Sequence, residues 1–88
     1  MKSVKEINLP IDYALVMQQL IEDGEDDVNT LSDTLNIHRS RVMHILTNLL
    51  NRGLVIMKKT VSGEIEVKLS RKGMHVFKQI WPEYFAFM

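Results

Sequence analysis

Residues 31–59 read LSDTLNIHRSRVMHILTNLLNRGLVIMKK, and this stretch decides the fold. It contains the end of one apolar helical pattern, a turn at Asn36 and a second helical pattern that ends at Gly53. Asparagine tolerates the left-handed conformation that a tight turn between helices requires. The apolar stripe of the second pattern consists of Val42, Ile45, Leu46, Leu49 and Leu50. This spacing predicts two helices joined by a short turn, with His38 at the start of the second one.

Two helices are predicted on the N-terminal side of the Asn36 turn, including the one that leads into it. After Pro10, apolar residues recur at steps of three and four, and Gly24 stands where that helix would stop. These apolar residues are Tyr13, Val16, Met17, Leu20 and Ile21. Asp27 is a candidate N-cap for a helix over Val28–Leu35, which is the helix that precedes the turn.

The C-terminal side of the stretch predicts a β-hairpin and a last helix. Leu54–Met57 is a short apolar run, Lys58–Gly63 is predicted as turn, and residues 65–69 alternate between apolar and charged. Ser70 can cap a helix that runs until Pro82. The predicted fold class is therefore α+β and mostly α, a winged helix-turn-helix with three helices, a two-stranded β-hairpin wing and a C-terminal helix. We predict one domain over residues 1–88, with its core at about 10–80 and an apolar aromatic tail at 81–88.

Length and composition exclude several classes of function. An 88-residue chain with 45% hydrophobic residues hides roughly 60–65% of its unfolded surface, which supports one core but no deep cleft between lobes. We therefore predict that the protein is not an enzyme, with no catalytic residues and no cofactor. Without cysteine it has no disulfide and no thiolate metal site. No apolar run is long enough to span a bilayer and no signal peptide is evident, so a cytoplasmic location without a membrane partner is expected.

The zero net charge of the chain conceals a separation of charge. Residues 1–37 carry two basic and eight acidic residues, whereas residues 38–88 carry nine basic and three acidic residues. A neutral chain with separated charge can still present a basic face to a polyanion. The alternative is that both halves are ordinary solvated surface.

The third predicted helix, which opens at His38, carries the candidate DNA contacts. In a winged helix-turn-helix this helix enters the major groove, where arginine pairs with guanine and Ser, Thr and His bond to phosphates or base edges. The candidates on its outer side are Arg39, Ser40, Arg41, Met43, His44 and Thr47. On the hairpin, Lys58, Lys59 and Lys68 are candidates for phosphate contacts. The alternatives are a solvated helix face and lysines that protect a sheet edge from aggregation.

Neither the histidines nor the acidic run indicates a metal site. His38 and His44 lie six residues apart without a suitable third ligand nearby, so we expect His38 to cap the third helix or touch phosphate. The acidic residues 22–27 lack the spacing of a calcium loop. No metal is therefore predicted.

The aromatic residues are concentrated at the C-terminus. Trp81, Tyr84, Phe85 and Phe87 all lie in the last eight positions. This tail either folds back over the first helix as part of the core, or forms a homodimer interface centred on Ile80, Trp81, Tyr84 and Phe85. Both alternatives stay open on the sequence.

Residues 31–59, together with residues 61–73, which read VSGEIEVKLSRKG, resemble the multiple antibiotic resistance regulator (MarR) family. The resemblance covers about residues 13–80, and its most specific parts are Leu35–Ile37, Leu49–Val55 and Leu69–Gly73. It implies a homodimeric DNA-binding regulator. Asn36 stands where the family often has glycine, and Ser32 where it usually has alanine.

Two departures from this family bear on function. The wing tip has Ser62-Gly63-Glu64 where the family commonly has an aspartate-x-arginine motif, and a carboxylate cannot replace that arginine. The long flanking helices that form the dimer and enclose an effector pocket in the family have no counterpart here, so the resemblance does not extend to the effector pocket, and whether an effector binds stays open on the sequence. The sequence predicts a sequence-specific, double-stranded DNA-binding transcriptional regulator. The alternative is a winged-helix module that binds protein and not DNA, which the zero net charge and Glu64 favour.

Overall fold

The computed structural model describes residues 9–82 and shows four helices and a three-stranded antiparallel sheet in that range. The elements in chain order are α1 (Ile11–Asp23), β1 (Asp26–Asp27), α2 (Val28–Leu35), α3 (Arg39–Asn51), β2 (Val55–Lys59), β3 (Ile65–Leu69) and α4 (Arg71–Ile80). The predicted winged helix-turn-helix is confirmed. In the part of the chain that the structure describes, no helix combines the length and apolarity needed to cross a membrane.

The helix ends follow from local chemistry, as the sequence predicts. The amide of Gly24, at φ 82°, closes α1 by donating to the carbonyl of Leu20. The carboxylate of Asp27 accepts the amide of Thr30 at 2.7 Å and so caps α2. A side-chain acceptor at this position satisfies one of the amides that a helix leaves unpaired in its first turn.

The turn between α2 and α3 is held by the backbone conformation of Asn36 and by Ser32. Asn36 is left-handed at φ 55° and ψ 45°, which lets the chain reverse within three residues. The Ile37 amide donates to the Ser32 carbonyl at 3.1 Å, and the Ser32 hydroxyl donates to the Ile37 carbonyl at 2.6 Å. Serine at position 32 thus adds a hydrogen bond that alanine could not make.

The core lies between the helices and one face of the sheet. Its buried members are Tyr13, Val16, Met17, Leu20, Val28, Leu31, Val42, Ile45, Leu46, Leu49, Leu54, Val55, Val67 and Phe77. Trp81 is partly buried, with its ring centroid 4.6 Å from that of Phe77. It therefore contributes to the core of its own molecule, and its role in a dimer interface, like that of Ile80, stays a prediction. Tyr84 and Phe85 lie outside the described residues.

The sheet differs from the predicted two-stranded hairpin in two respects. A third strand, β1, pairs with β3, so that the order is β1-β3-β2. Two aspartates have little intrinsic preference for a strand, and only pairing with a distant strand places them in one. In addition, Lys58 and Lys59 belong to β2 and not to the turn, because they pair with Glu66 and Ile65.

The base of the hairpin is tied to both α3 and α4. The Ser70 amide donates to the Leu54 carbonyl at 3.0 Å, and the Ser70 hydroxyl donates to the Gly53 carbonyl at 2.6 Å. The Lys72 ammonium donates to the Arg52 carbonyl at 2.9 Å, at the C-terminal end of α3. Gly73 packs so tightly that a Cβ there would overlap the carbonyl oxygen of Leu54. These contacts fix where the hairpin stands relative to α3.

Candidate nucleic-acid interface

The outer face of α3 is exposed and carries no carboxylate. Because successive helical residues turn by roughly 100°, the buried positions Val42, Ile45, Leu46 and Leu49 define one side of the helix. Ser40, His44, Thr47 and Asn51 lie opposite and are all exposed. No acidic residue occurs in 39–51, so nothing on this helix repels a phosphate backbone.

His38 caps the start of α3 and orders Ser40. Its Nδ1 accepts the Ser40 amide at 3.3 Å and lies 2.9 Å from the Ser40 hydroxyl. Because Nδ1 accepts a hydrogen bond from this amide, the neutral imidazole carries its proton on Nε2. The capping role expected of His38 is therefore observed, and Ser40 stands at the exposed first turn.

The remaining predicted residues of the outer face differ in their exposure and in the hydrogen-bonding groups that they leave available. His44 is exposed, and the Asn48 amide group lies 3.4 Å from its Nε2. The Thr47 hydroxyl donates to the Met43 carbonyl at 2.8 Å, which leaves its oxygen lone pairs as acceptors. Met43 is half-buried and packs on the core, so only its edge belongs to this face.

The two arginines of the first turn lie on opposite flanks of α3 and are held by different helices. Arg39 donates through Nε to Oδ1 of Asn29, on α2, at 2.8 Å. Arg41 donates through Nε to Oδ2 of Asp12, on α1, at 2.7 Å, and its guanidinium lies 5.7 Å from the centre of the Tyr13 ring. The hydrogen bond from Arg41 lowers the pKa of the Asp12 carboxyl. The sequence predicted both arginines but neither of their acceptors.

The three lysines of the hairpin do not share one surface. Residues directly opposite each other in an antiparallel pair lie on the same face, and successive residues alternate. Lys58 and Lys68 therefore lie on the outer face, whereas Lys59 lies on the other. Lys58 stands opposite Glu66, which in turn stands opposite Asp27 in β1. This face therefore combines two lysines with two carboxylates and is not uniformly basic.

The wing tip is a tight turn that exposes both an apolar and an acidic side chain. The Gly63 amide donates to the Thr60 carbonyl at 2.9 Å, and Gly63 adopts φ 93°, which favours glycine. Val61 is fully exposed at this tip, and Glu64 follows the turn. The tip therefore offers an apolar side chain and a carboxylate, with no arginine.

An unusual carboxyl group lies at β1. Asp26 stands opposite Val67 on the core face of the sheet, and its Oδ2 is buried without a hydrogen-bond partner among residues 9–82. Burial, followed by the neighbouring carboxylates of Asp23 and Asp27, raises the pKa of Asp26 to about 7. Within the same residues no group of three or more His, Cys, Asp or Glu is placed to hold a metal ion.

Solved structures share this fold at low sequence identity. The E. coli MarR mutant complexed with operator DNA has 15% identity and a TM-score of 0.81, over 90% of this chain and 58% of that one. PcaV from Streptomyces coelicolor, in complex with its natural ligand, has 20% identity and a TM-score of 0.76, over 90% and 57%. A MepR mutant from S. aureus, bound to an oligodeoxyribonucleotide, has 12% identity and a TM-score of 0.82, over 96% and 64%.

These likenesses establish a winged helix-turn-helix of the type found in MarR-type regulators. The chain spans less than two thirds of the length of these three structures. No family model matches the sequence, and a search of curated protein sequences found no match.

Proposed function

We propose that the protein is a sequence-specific, double-stranded DNA-binding transcriptional regulator, with α3 in the major groove and the β2–β3 hairpin against the sugar-phosphate backbone. The observation that carries this proposal is the outer face of α3. It presents Ser40, His44 and Thr47 between two arginines, with no carboxylate on the helix. Such a face is not needed for folding, because the core uses the opposite side.

The chemistry of this face suits the major groove. Hydroxyl and imidazole groups can donate to or accept from base edges, which present a different donor and acceptor pattern for each base pair. Ser40 and His44 are one helical turn apart, so both can reach neighbouring base pairs from the same side of the helix. Sequence readout is therefore assigned to Ser40, His44 and Thr47.

The proposal includes a homodimer. One reading helix contacts only a few base pairs, whereas a two-fold dimer doubles the contacts on a pseudo-palindromic site. Two exposed apolar residues of α1, Ile11 and Leu15, are available for association beside the predicted Ile80 and Trp81. An oligomeric state of two thus follows from the requirement for specificity.

A protein-binding module is the second candidate, and the hairpin favours it. Val61 is fully exposed at the wing tip, Glu64 follows it, and Lys58 stands opposite Glu66. This surface is less suited to a polyanion than that of α3. The two candidates therefore assign the partner to different surfaces, and variants can separate them.

Selection from a pool of random duplexes tests the proposal. The wild-type protein should enrich one motif, and binding should weaken as salt rises because phosphate contacts release counterions. His44→Ala should lower affinity for the enriched duplex by about 1–3 kcal/mol and relax its base preference. His75→Ala is the matched control, because His75 is an exposed histidine on α4, away from α3. Absence of any enriched motif and of binding at low salt would favour the protein-binding candidate.

A further inference from the structure

We propose that Arg39 and Arg41 grip the phosphates on the two sides of the groove, and that Asn29 and Asp12 are positioning residues that hold these arginines in place. The inference rests on the proposed function and refines it, because it assigns the arginines to the DNA backbone and leaves base reading to Ser40, His44 and Thr47. Its basis is the pair of Nε hydrogen bonds that run to α2 and α1.

The position of the arginines on α3 indicates the backbone and not the bases. At roughly 100° per residue, Arg39 and Arg41 lie about 160° apart, on either side of Ser40. A helix about 10–12 Å in diameter fills a major groove about 12 Å wide, so its flanks meet the two phosphate walls. Each arginine therefore lies at one wall when Ser40 points to the floor of the groove.

These two hydrogen bonds leave the Nη groups of each guanidinium available to bind phosphate. Arginine has five N–H donors in a rigid fork, and both protein contacts use Nε alone. Within residues 9–82 the terminal Nη groups have no hydrogen-bond partner, and the Arg41 side chain is 43% exposed. Two parallel N–H donors remain for a phosphate in the bidentate arrangement that arginine favours. Holding Nε in advance also reduces the side-chain entropy lost on binding.

The direction in which DNA affinity changes when Asp12 is removed tests the proposal. A carboxylate near DNA repels phosphate, so simple electrostatics predicts that removing any such group tightens binding. If Asp12 instead holds Arg41 in position, its removal weakens binding although a negative charge is lost. The direction of the change therefore distinguishes positioning from repulsion.

The test measures binding to a short random-sequence duplex at low salt, because phosphate contacts act on every sequence. Asp12→Ala and Asn29→Ala should each weaken binding by roughly three- to tenfold, as expected for one displaced phosphate contact. Asp33→Ala is the control, since Asp33 is an exposed carboxylate on α2 that contacts neither arginine, and it should leave binding unchanged or tighter. Asp12→Asn keeps an oxygen acceptor for Nε and should restore affinity to at least the wild-type level.

Two further measurements exclude a merely structural effect. In the Arg41→Ala background, Asp12→Ala should cause no additional loss, since the two residues act through one contact. Arg41→Ala and Arg39→Ala should each flatten the slope of log affinity against log salt by about 0.9 and leave the selected motif unchanged. Circular dichroism checks that each variant is folded.

The outcomes separate this inference from the proposed function. Tighter binding of Asp12→Ala, or a changed base preference in Arg41→Ala, would overturn the positioning role while leaving the regulator intact. Failure of the folded wild type to bind any duplex at low salt would overturn both.

Discussion

At Asp26 the pairing of two short strands places a carboxyl group against the core. The residue lies opposite Val67, which is buried, and Oδ2 of its carboxyl is shielded from solvent. An ionised carboxylate there loses hydration, and Asp23 adds a second negative charge nearby. The protonated form is therefore favoured in the folded protein well above the ordinary pKa of 3.8.

This carboxyl makes stability depend on pH in a defined direction. With a pKa of about 7 when folded and 3.8 as its ordinary value, Asp26 binds its proton more tightly in the folded state. Its stabilising contribution is complete at low pH and is lost as pH rises through about 7. Asp26→Asn stays neutral throughout, so its melting temperature should exceed that of the wild type at pH ~8 and match it near pH ~4.

Thermal unfolding followed by circular dichroism at several pH values measures this effect. Glu25→Gln is the control, because Glu25 is an exposed neighbour in the same connection, and it should track the wild type at every pH. If the melting temperatures of Asp26→Asn and the wild type differ by the same amount at every pH, the Asp26 carboxyl keeps its ordinary pKa in the folded protein.

Among the elements, helices could be predicted from the sequence more completely than strands. Asp27, Asn36 and Ser70 act within a few residues of themselves as caps or turns, so the pattern around each is sufficient. β1 depends on pairing with a strand some 40 residues away, which no local pattern records. The same limit applies to Asp12, which is 29 residues from Arg41. Contacts between distant residues are what the sequence alone leaves undetermined.

The junction of α4 with the hairpin is the element-scale feature that a single substitution tests best. Gly73→Ala places a methyl group against the Leu54 carbonyl, which cannot move without disturbing the Ser70–Leu54 hydrogen bond. We expect a loss of about 1–3 kcal/mol in the free energy of unfolding, or more if the backbone cannot adjust. Urea unfolding measures this free energy. Arg71→Ala is the control, because Arg71 is exposed in the same helical turn. Its free energy of unfolding should lie within about 0.5 kcal/mol of the wild type. Equal midpoints for the two variants would refute the close approach.

At the scale of the whole molecule, the face of α3 could be predicted because it follows one helix period, whereas the arrangement of the hairpin lysines could not. Their grouping depends on the β2–β3 register, which places Lys58 opposite Glu66 and sends Lys59 to the other face. The acidic and basic residues that are separated along the sequence are therefore only partly separated on the folded surface. On α3 itself, the two arginines lie at the flanks, and one of them, Arg41, is paired with Asp12.

Association into a dimer is the prediction that depends most on the C-terminal end of the described chain. Trp81 is partly buried on Phe77, and its remaining exposed surface is available to a partner. Trp81→Ala should shift the protein from dimer to monomer and weaken DNA binding, because an aromatic anchor at an interface centre is worth about 2 kcal/mol or more. Sedimentation equilibrium with circular dichroism measures both oligomeric state and folding. A wild type that is monomeric at tens of micromolar would rule out the interface, and an unfolded Trp81→Ala variant would assign Trp81 to the core alone.

The most direct measurement of the central claim is a titration of the protein with duplex DNA, followed through its backbone amide chemical shifts at low and moderate salt. The largest changes should fall on residues 39–47, with smaller changes at the hairpin lysines, and all should diminish as salt rises. Unmoved amides over residues 39–47, with changes at the wing tip or on another surface, would contradict the assignment of α3 as the DNA-reading element.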